Sequence, residues 1–135
     1  SWETISLKHK GLEWSCGSTS GMTWNNAVTY CKGSGGRLPN IQELRMLIKE
    51  CPKNEYPKPA GQDPWCTIED PGNLDGDRCV GCPFAPNKYS VFEDTASWFW
   101  SSSPRMSTPG GVWGVSFDYG AVTSKSTNGL VRCVR

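Results

Sequence analysis

The seven cysteines carry most of the chemistry this chain can offer. Cys79 and Cys82 form Cys79-Val-Gly-Cys82, which could be half of a zinc site with Cys51 and Cys66 completing it. Structural zinc sites usually show two close pairs, and here there is one. The same spacing occurs in redox motifs, but the strand–helix unit that flanks them in thioredoxin-like folds is missing. Plain disulfides are the favoured reading, because a cysteine-dense chain of 135 residues points to an oxidising compartment. The count is odd, and Cys16 is the candidate for the cysteine left over. Spacing does not decide the connectivity among Cys16, Cys51, Cys66, Cys79 and Cys82; Cys51–Cys66 is the preferred pair.

The oxygen ligands are gathered at Asp70, Asn73, Asp75 and Asp77, around Gly76. Calcium takes such loops, so these four are the candidate metal set and calcium the one candidate cofactor. The EF-hand frame fails, because placing Gly76 at loop position six puts Pro71 at position one. A solvated Asx-turn loop is the favoured alternative. The Glu-Pro-Asn and Gln-Pro-Asp signatures of calcium-dependent sugar-binding lectins are absent. His9 is the only histidine, which excludes a multi-histidine metal site. A Ser-His-Asp arrangement would have to draw on that N-terminal position, and no nucleophile-elbow motif accompanies it. No catalytic constellation is visible, and the chain reads as a non-enzyme.

The elements that must position these residues are few. Only 36% of the chain is hydrophobic, and Gly 15 and Pro 10 favour irregular loops. Seven tryptophans compensate through the large area each can bury. A net charge of +1 gives no global pull toward nucleic acid or an anionic membrane. No apolar run approaches a membrane span. The chain starts at Ser1 without a signal peptide and is expected to be a piece of a longer surface protein.

Residues 1–16 read as one or two strands. Thr23 is a plausible N-cap for a first helix whose Trp24, Ala27, Val28 and Cys31 share one face. Asn40 and Glu43 resemble a capping box for a second helix. Its stripe runs through Ile41, Leu44, Leu47, Ile48 and Cys51 until Pro52 stops it. Residues 52–84 show no period and read as a cysteine-rich insertion loop within a single domain of residues 1–135. The last third reads as antiparallel sheet. Ser97-Trp-Phe-Trp100 is a short buried strand. Trp113, Val115, Phe117 and Tyr119 alternate with Val112, Gly114, Ser116 and Asp118. Tyr119-Gly120 suggests a turn, and Asn128-Gly129 a hairpin before a final strand at Leu130–Arg135. A bridge from Cys31 to Cys133 would tie the first helix to that strand. Closing a loop of about 100 residues would be worth roughly 4–5 kcal/mol in the chain-entropy picture.

Four motifs occur in order: Thr23-Trp-Asn-Asn-Ala-Val-Thr-Tyr-Cys31, Gly36-Arg-Leu-Pro-Asn-Ile-Gln-Glu-Leu44, Trp100-Ser-Ser-Ser103 and Val131-Arg-Cys-Val-Arg135. Together they resemble the bacterial domain family typified by the C-terminal domain of the Legionella collagen-like adhesin, over roughly residues 12 to 135. The resemblance implies an α+β, C-type-lectin-like fold with two helices, a mixed or antiparallel sheet, and termini that meet in neighbouring strands. In such folds the helix-one cysteine commonly bridges to the last strand, in agreement with Cys31–Cys133. It also implies adhesion or ligand binding at the cell surface, in some members as a homotrimer. The partner would be a host or neighbouring-cell glycan or surface protein, with no nucleic acid and no membrane insertion. A sulfated glycosaminoglycan fits by family analogy, although +1 net charge makes it less attractive than for a basic member. The formylglycine-generating enzymes share the fold group, but they are considerably larger and use a reactive cysteine pair. A fibre-tip or oligomerising module is the other alternative.

Arg37-Leu38-Pro39 is read as structural, with Arg37 anchoring a loop to carbonyls. The aromatics Trp98, Phe99, Trp100 and Trp113 could stack on a sugar, but strand alternation makes about half of them core. The expected contacts lie in the loops at 101–111 and 122–128 and beside them: Arg105, Trp113, Asp118, Tyr119 and Lys125.

Overall fold

The computed structural model describes residues 2–4, 11–61, 66–70, 79–92 and 97–135. Among them are two α-helices and two small antiparallel sheets, an α+β arrangement. Strands β1 (Trp2–Thr4) and β2 (Glu13–Ser15) pair with each other. Helices α1 (Trp24–Gly33) and α2 (Ile41–Arg45) follow. Strands β3 (Trp98–Pro104), β4 (Val112–Ser116) and β5 (Ala121–Lys125) make a sheet in that order.

Helix α1 forms where the period places it. The Thr23 hydroxyl accepts the Asn26 N–H, and the helix buries Ala27 and Cys31 while Trp24 and Val28 are half-buried. Helix α2 has the complete capping box, with Asn40 and Glu43 each accepting the other's backbone N–H at 2.8 Å. The helix is shorter than its apolar stripe suggests, because it ends at Arg45 rather than Cys51. Leu47 and Lys49 exchange main-chain hydrogen bonds with Val91 and Tyr89, and this pairing replaces further helical turns. Leu47, Ile48 and Cys51 are still buried, so the stripe is real although the helix is not.

Arg45 explains the order beyond α2. Its guanidinium is buried and donates to the carbonyls of Asn54, Glu55, Cys66 and Ile68. Burial lowers its pKa to about 10, against the opposing charge of Glu69, so it stays protonated at neutral pH. One side chain thus organises a stretch with little secondary structure of its own.

Both faces of β4 are covered. One packs on a core containing Ile41, Leu44, Phe99, Val115 and Phe117; the other on Ala27, Leu38, Trp98, Trp100 and Val131. Hence Val112 and Gly114 are buried along with Trp113, Val115 and Phe117. Gly114 has no room for a Cβ, which would overlap the Trp98 ring and the Phe99 carbonyl. The Trp113–Tyr119 alternation does not extend as strand past Ser116; residues 117–120 turn, with Gly120 at φ 61.

The Asn128-Gly129 hairpin does not form. The chain leaves β5, crosses the sheet, and lays Leu130 beside Phe99 and Val134 beside Trp14 and Arg37. Gly129 is small for a different reason, since a Cβ there would stand 2.5 Å from the Trp98 ring. The last residues do meet the N-terminal strand, as Glu13 and Arg135 exchange main-chain hydrogen bonds of 3.1 Å.

Three disulfides are present. Cys31–Cys133 closes a separation of 102 residues, as expected. The preferred Cys51–Cys66 pair is corrected: Cys51 bonds Cys82 and Cys66 bonds Cys79. The Arg45 hydrogen bonds hold Cys66 in the buried interior near Cys79, while Cys51 faces the Gly120 turn, where Cys82 arrives. Cys79 and Cys82 are therefore neither a zinc half-site nor a redox pair. Cys16 is exposed and lies outside the three bridges.

Candidate ligand-binding site

Strand β5 is the edge of the three-stranded sheet, and a hollow opens on each side of it. One, of about 270 Å³, is lined by Arg105, Trp113, Val122 and Ser124. The other, of about 470 Å³, is lined by Ser97, Trp98, Asp118, Tyr119, Ala121 and Lys125. Val80 and Thr123 border both. The split follows from strand geometry, since successive side chains of β5 point to opposite faces.

The five expected contacts thus lie around one strand but in two groups. Arg105 and Trp113 share the smaller hollow. The Arg105 guanidinium sits 4.8 Å over the Trp113 ring and reaches the Ser124 hydroxyl at 3.2 Å. Trp113 itself is only 1% exposed, so a ligand in that hollow meets the guanidinium over it more than the indole. The Trp113 indole N–H is buried without an acceptor among the described residues. The Arg105 loop is closed by its N–H on the Gly111 carbonyl at 2.9 Å.

Asp118, Tyr119 and Lys125 share the larger hollow. Lys125 is exposed and holds its ammonium 4.9 Å over the Trp98 ring. Asp118 has a structural duty, as its Oδ1 accepts the Asn87 N–H at 2.7 Å. Tyr119 is 45% exposed and packs on Phe84. Ser97 stands at the rim with φ 95, a conformation that costs a non-glycine residue about 1–3 kcal/mol.

The aromatics Trp98, Phe99, Trp100 and Trp113 are all buried, so all four are core rather than half of them. Sequence reasoning missed Val80, Phe84 and Thr123. The first two sit in the aperiodic cysteine-rich stretch, and only the exposure of apolar residues there marks them. Arg37 is structural in a way different from the expectation. It holds Glu43 with two bonds of 2.7 and 2.9 Å and makes one weaker bond to a carbonyl, that of Leu38 at 3.3 Å. Of the acidic cluster, Asp70 is described, its backbone exchanging two hydrogen bonds with the Gln42 amide. Asn73, Asp75 and Asp77 lie outside the described residues, as does His9.

These features define a disulfide-stapled α+β domain with an open, mixed-polarity recess around a sheet edge. The family model for the Lcl C-terminal domain matches residues 3–135, and the chain belongs to that family. The family is adhesin-associated, which points to an external partner, and three disulfides fit an extracellular domain. No curated protein and no solved structure matches the chain.

Proposed function

We propose that this chain is the binding module of a bacterial surface adhesin, with a C-type-lectin-like fold, and that it engages a glycan on a host or neighbouring cell through the recess around β5. The observation that carries this reading is the pair of cations seated over indole rings on the two sides of that strand, Arg105 over Trp113 and Lys125 over Trp98. Each cation is held where it can donate to an oxygen-rich ligand, and each rests on a ring packed in the core. In this reading the chain catalyses nothing and needs no cofactor. Presentation as a homotrimer would multiply a weak single contact.

A glycan array run with and without chelator tests it. Binding is expected in both conditions. Arg105→Ala with Lys125→Ala should reduce it roughly ten-fold or more. Unchanged binding by the double variant overturns the site.

A further inference from the structure

The backbone from Cys79 to Ala85 is fastened by two disulfides, one of them Cys66–Cys79, and by three main-chain hydrogen bonds to residues 118–122. Cys82 bonds Cys51; the Cys82 N–H donates to the Tyr119 carbonyl at 2.7 Å; the Ala85 N–H donates to the Asp118 carbonyl at 2.9 Å; and the Cys79 carbonyl accepts the Val122 N–H at 2.9 Å. Gly81 makes the close approach possible. Its φ is 91, and a Cβ would lie 2.5 Å from the Tyr119 carbonyl. The fastening leaves Val80 67% and Phe84 58% exposed. The Phe84 ring lies 5.2 Å from the Tyr119 ring at an angle of 55°. Single exposed apolar residues are ordinary, but three on one clamped surface beside a recess are not.

The recess next to these rings has a defined polar set. The Trp98 indole N–H donates to the Thr123 hydroxyl oxygen at 2.9 Å, which leaves the Thr123 proton to donate elsewhere. Asp118 spends Oδ1 on the Asn87 N–H and keeps a second carboxylate oxygen. Lys125 supplies a cation opposite that anion, so the recess carries no net charge. Its volume of about 470 Å³ lies within the range of small-ligand pockets.

We propose that this surface binds one neutral hexopyranose ring. The sugar's C–H face lies on Phe84 and Tyr119, whose negative ring faces attract the partly positive hydrogens. Its hydroxyl edge meets Asp118 as acceptor and Thr123 and Lys125 as donors. An apolar partner would strand those three groups, and an anionic one would meet the Asp118 carboxylate. The proposal rests on the reading that the surroundings of β5 are the contact surface, and it adds Val80, Phe84 and Thr123 to that surface.

Saturation-transfer NMR with methyl β-D-galactopyranoside tests it, with galactitol as the polyol lacking a ring face. Transfer to the ring C–H protons is expected with the pyranoside and not with galactitol. Phe84→Ala and Tyr119→Ala should each weaken binding roughly five-fold or more. Thr123→Val should weaken it while leaving the rings in place. Phe84 is largely exposed, so its truncation does not threaten folding. Equal transfer to galactitol, no transfer, or full binding by Phe84→Ala overturns the inference. If array binding survives and depends on Arg105 and Lys125 while the pyranoside gives no transfer, the inference fails alone. If the array is also empty, both readings fail.

Discussion

Cys51 and Cys82 are bonded with their Cα atoms 6.1 Å apart, and their bond, together with Cys66–Cys79, fixes where Val80 and Phe84 lie. The segment that carries those two residues forms no strand, so it has no continuous ladder to hold it. Its attachment is two covalent links, Cys66–Cys79 and Cys51–Cys82, plus a few main-chain hydrogen bonds to residues 118–122. Cys82 is the bridged cysteine nearest Phe84, so the aromatic half of the proposed sugar platform leans on the Cys51–Cys82 link.

Replacing both Cys51 and Cys82 by Ala should lower stability by roughly 3–4 kcal/mol, the chain-entropy value for a loop of 31 residues. It should also abolish pyranoside transfer even at temperatures where the variant stays folded. Urea denaturation and saturation-transfer NMR read the two effects separately. Retained transfer in a folded double variant would show that the platform does not need the bond.

Arg45→Met should cost about 3–5 kcal/mol, because four main-chain carbonyls lose their buried donor. Arg37→Met should cost about 1 kcal/mol or less, because Arg37 is half exposed and its pair is screened. Comparing the two denaturation midpoints separates a buried organising cation from a surface one. Equal losses would refute the role given to Arg45.

That contrast also shows what the residues told in advance. Trp24, Ala27, Val28 and Cys31 announce a helix because burial on one face must recur every three to four residues. Asn40 and Glu43 announce its successor because each satisfies the other's backbone N–H. Arg45 gave no such sign, since a charged residue inside an apolar stripe ordinarily faces water and only the carbonyls of Asn54, Glu55, Cys66 and Ile68 gathered around it make it interior. Cysteine pairing is likewise a property of the whole path, so Cys51 and Cys66 could be named as bridged, but the preferred match between them is wrong. Arg105, Asp118, Tyr119 and Lys125 were readable as polar or aromatic loop-side residues near strand ends. Their division over two faces was not, because β5 had to be placed at the sheet edge first. Gly129 misled because glycine serves both turns and close approach, and the Trp98 ring that requires the latter is distant in sequence.

The Arg37–Glu43 pair should be visible as a pH effect. Burial alone would raise the Glu43 carboxyl, but the Arg37 hydrogen bonds, the Asn40 N–H and the Arg37 charge together hold it below the usual carboxylate range. A depressed carboxyl pKa gives stability that is present above the unfolded value of about 4.3 and is lost as pH falls through the folded value. Glu43→Gln keeps a capping acceptor and removes the charge. The thermal midpoints of wild type and Glu43→Gln should therefore differ most near neutral pH and converge below about pH 4. A constant difference across that range would mean the ion pair contributes nothing.

The serines of Trp100-Ser-Ser-Ser103 stand where the β3–β4 register shifts between Trp100 and Pro104, and ladder bonds are lost there. Ser101 donates its hydroxyl to the Trp113 carbonyl at 2.7 Å and accepts the Ser103 N–H at 3.0 Å. The Ser103 hydroxyl accepts the Ile41 N–H at 3.0 Å, which joins the irregular stretch of β3 to the start of α2. Ser101→Ala leaves two buried main-chain groups without partners and should cost about 1–3 kcal/mol. Ser102 contributes its own main-chain N–H to the Pro39 carbonyl and has a half-buried side chain, so Ser102→Ala should stay within about 0.5 kcal/mol. Denaturant midpoints of the two variants make the comparison at nearly equal change in size. If Ser101→Ala costs no more than Ser102→Ala, the hydroxyl is not what satisfies the shifted ladder, and the floor beneath Trp113 and Arg105 must be held by packing alone.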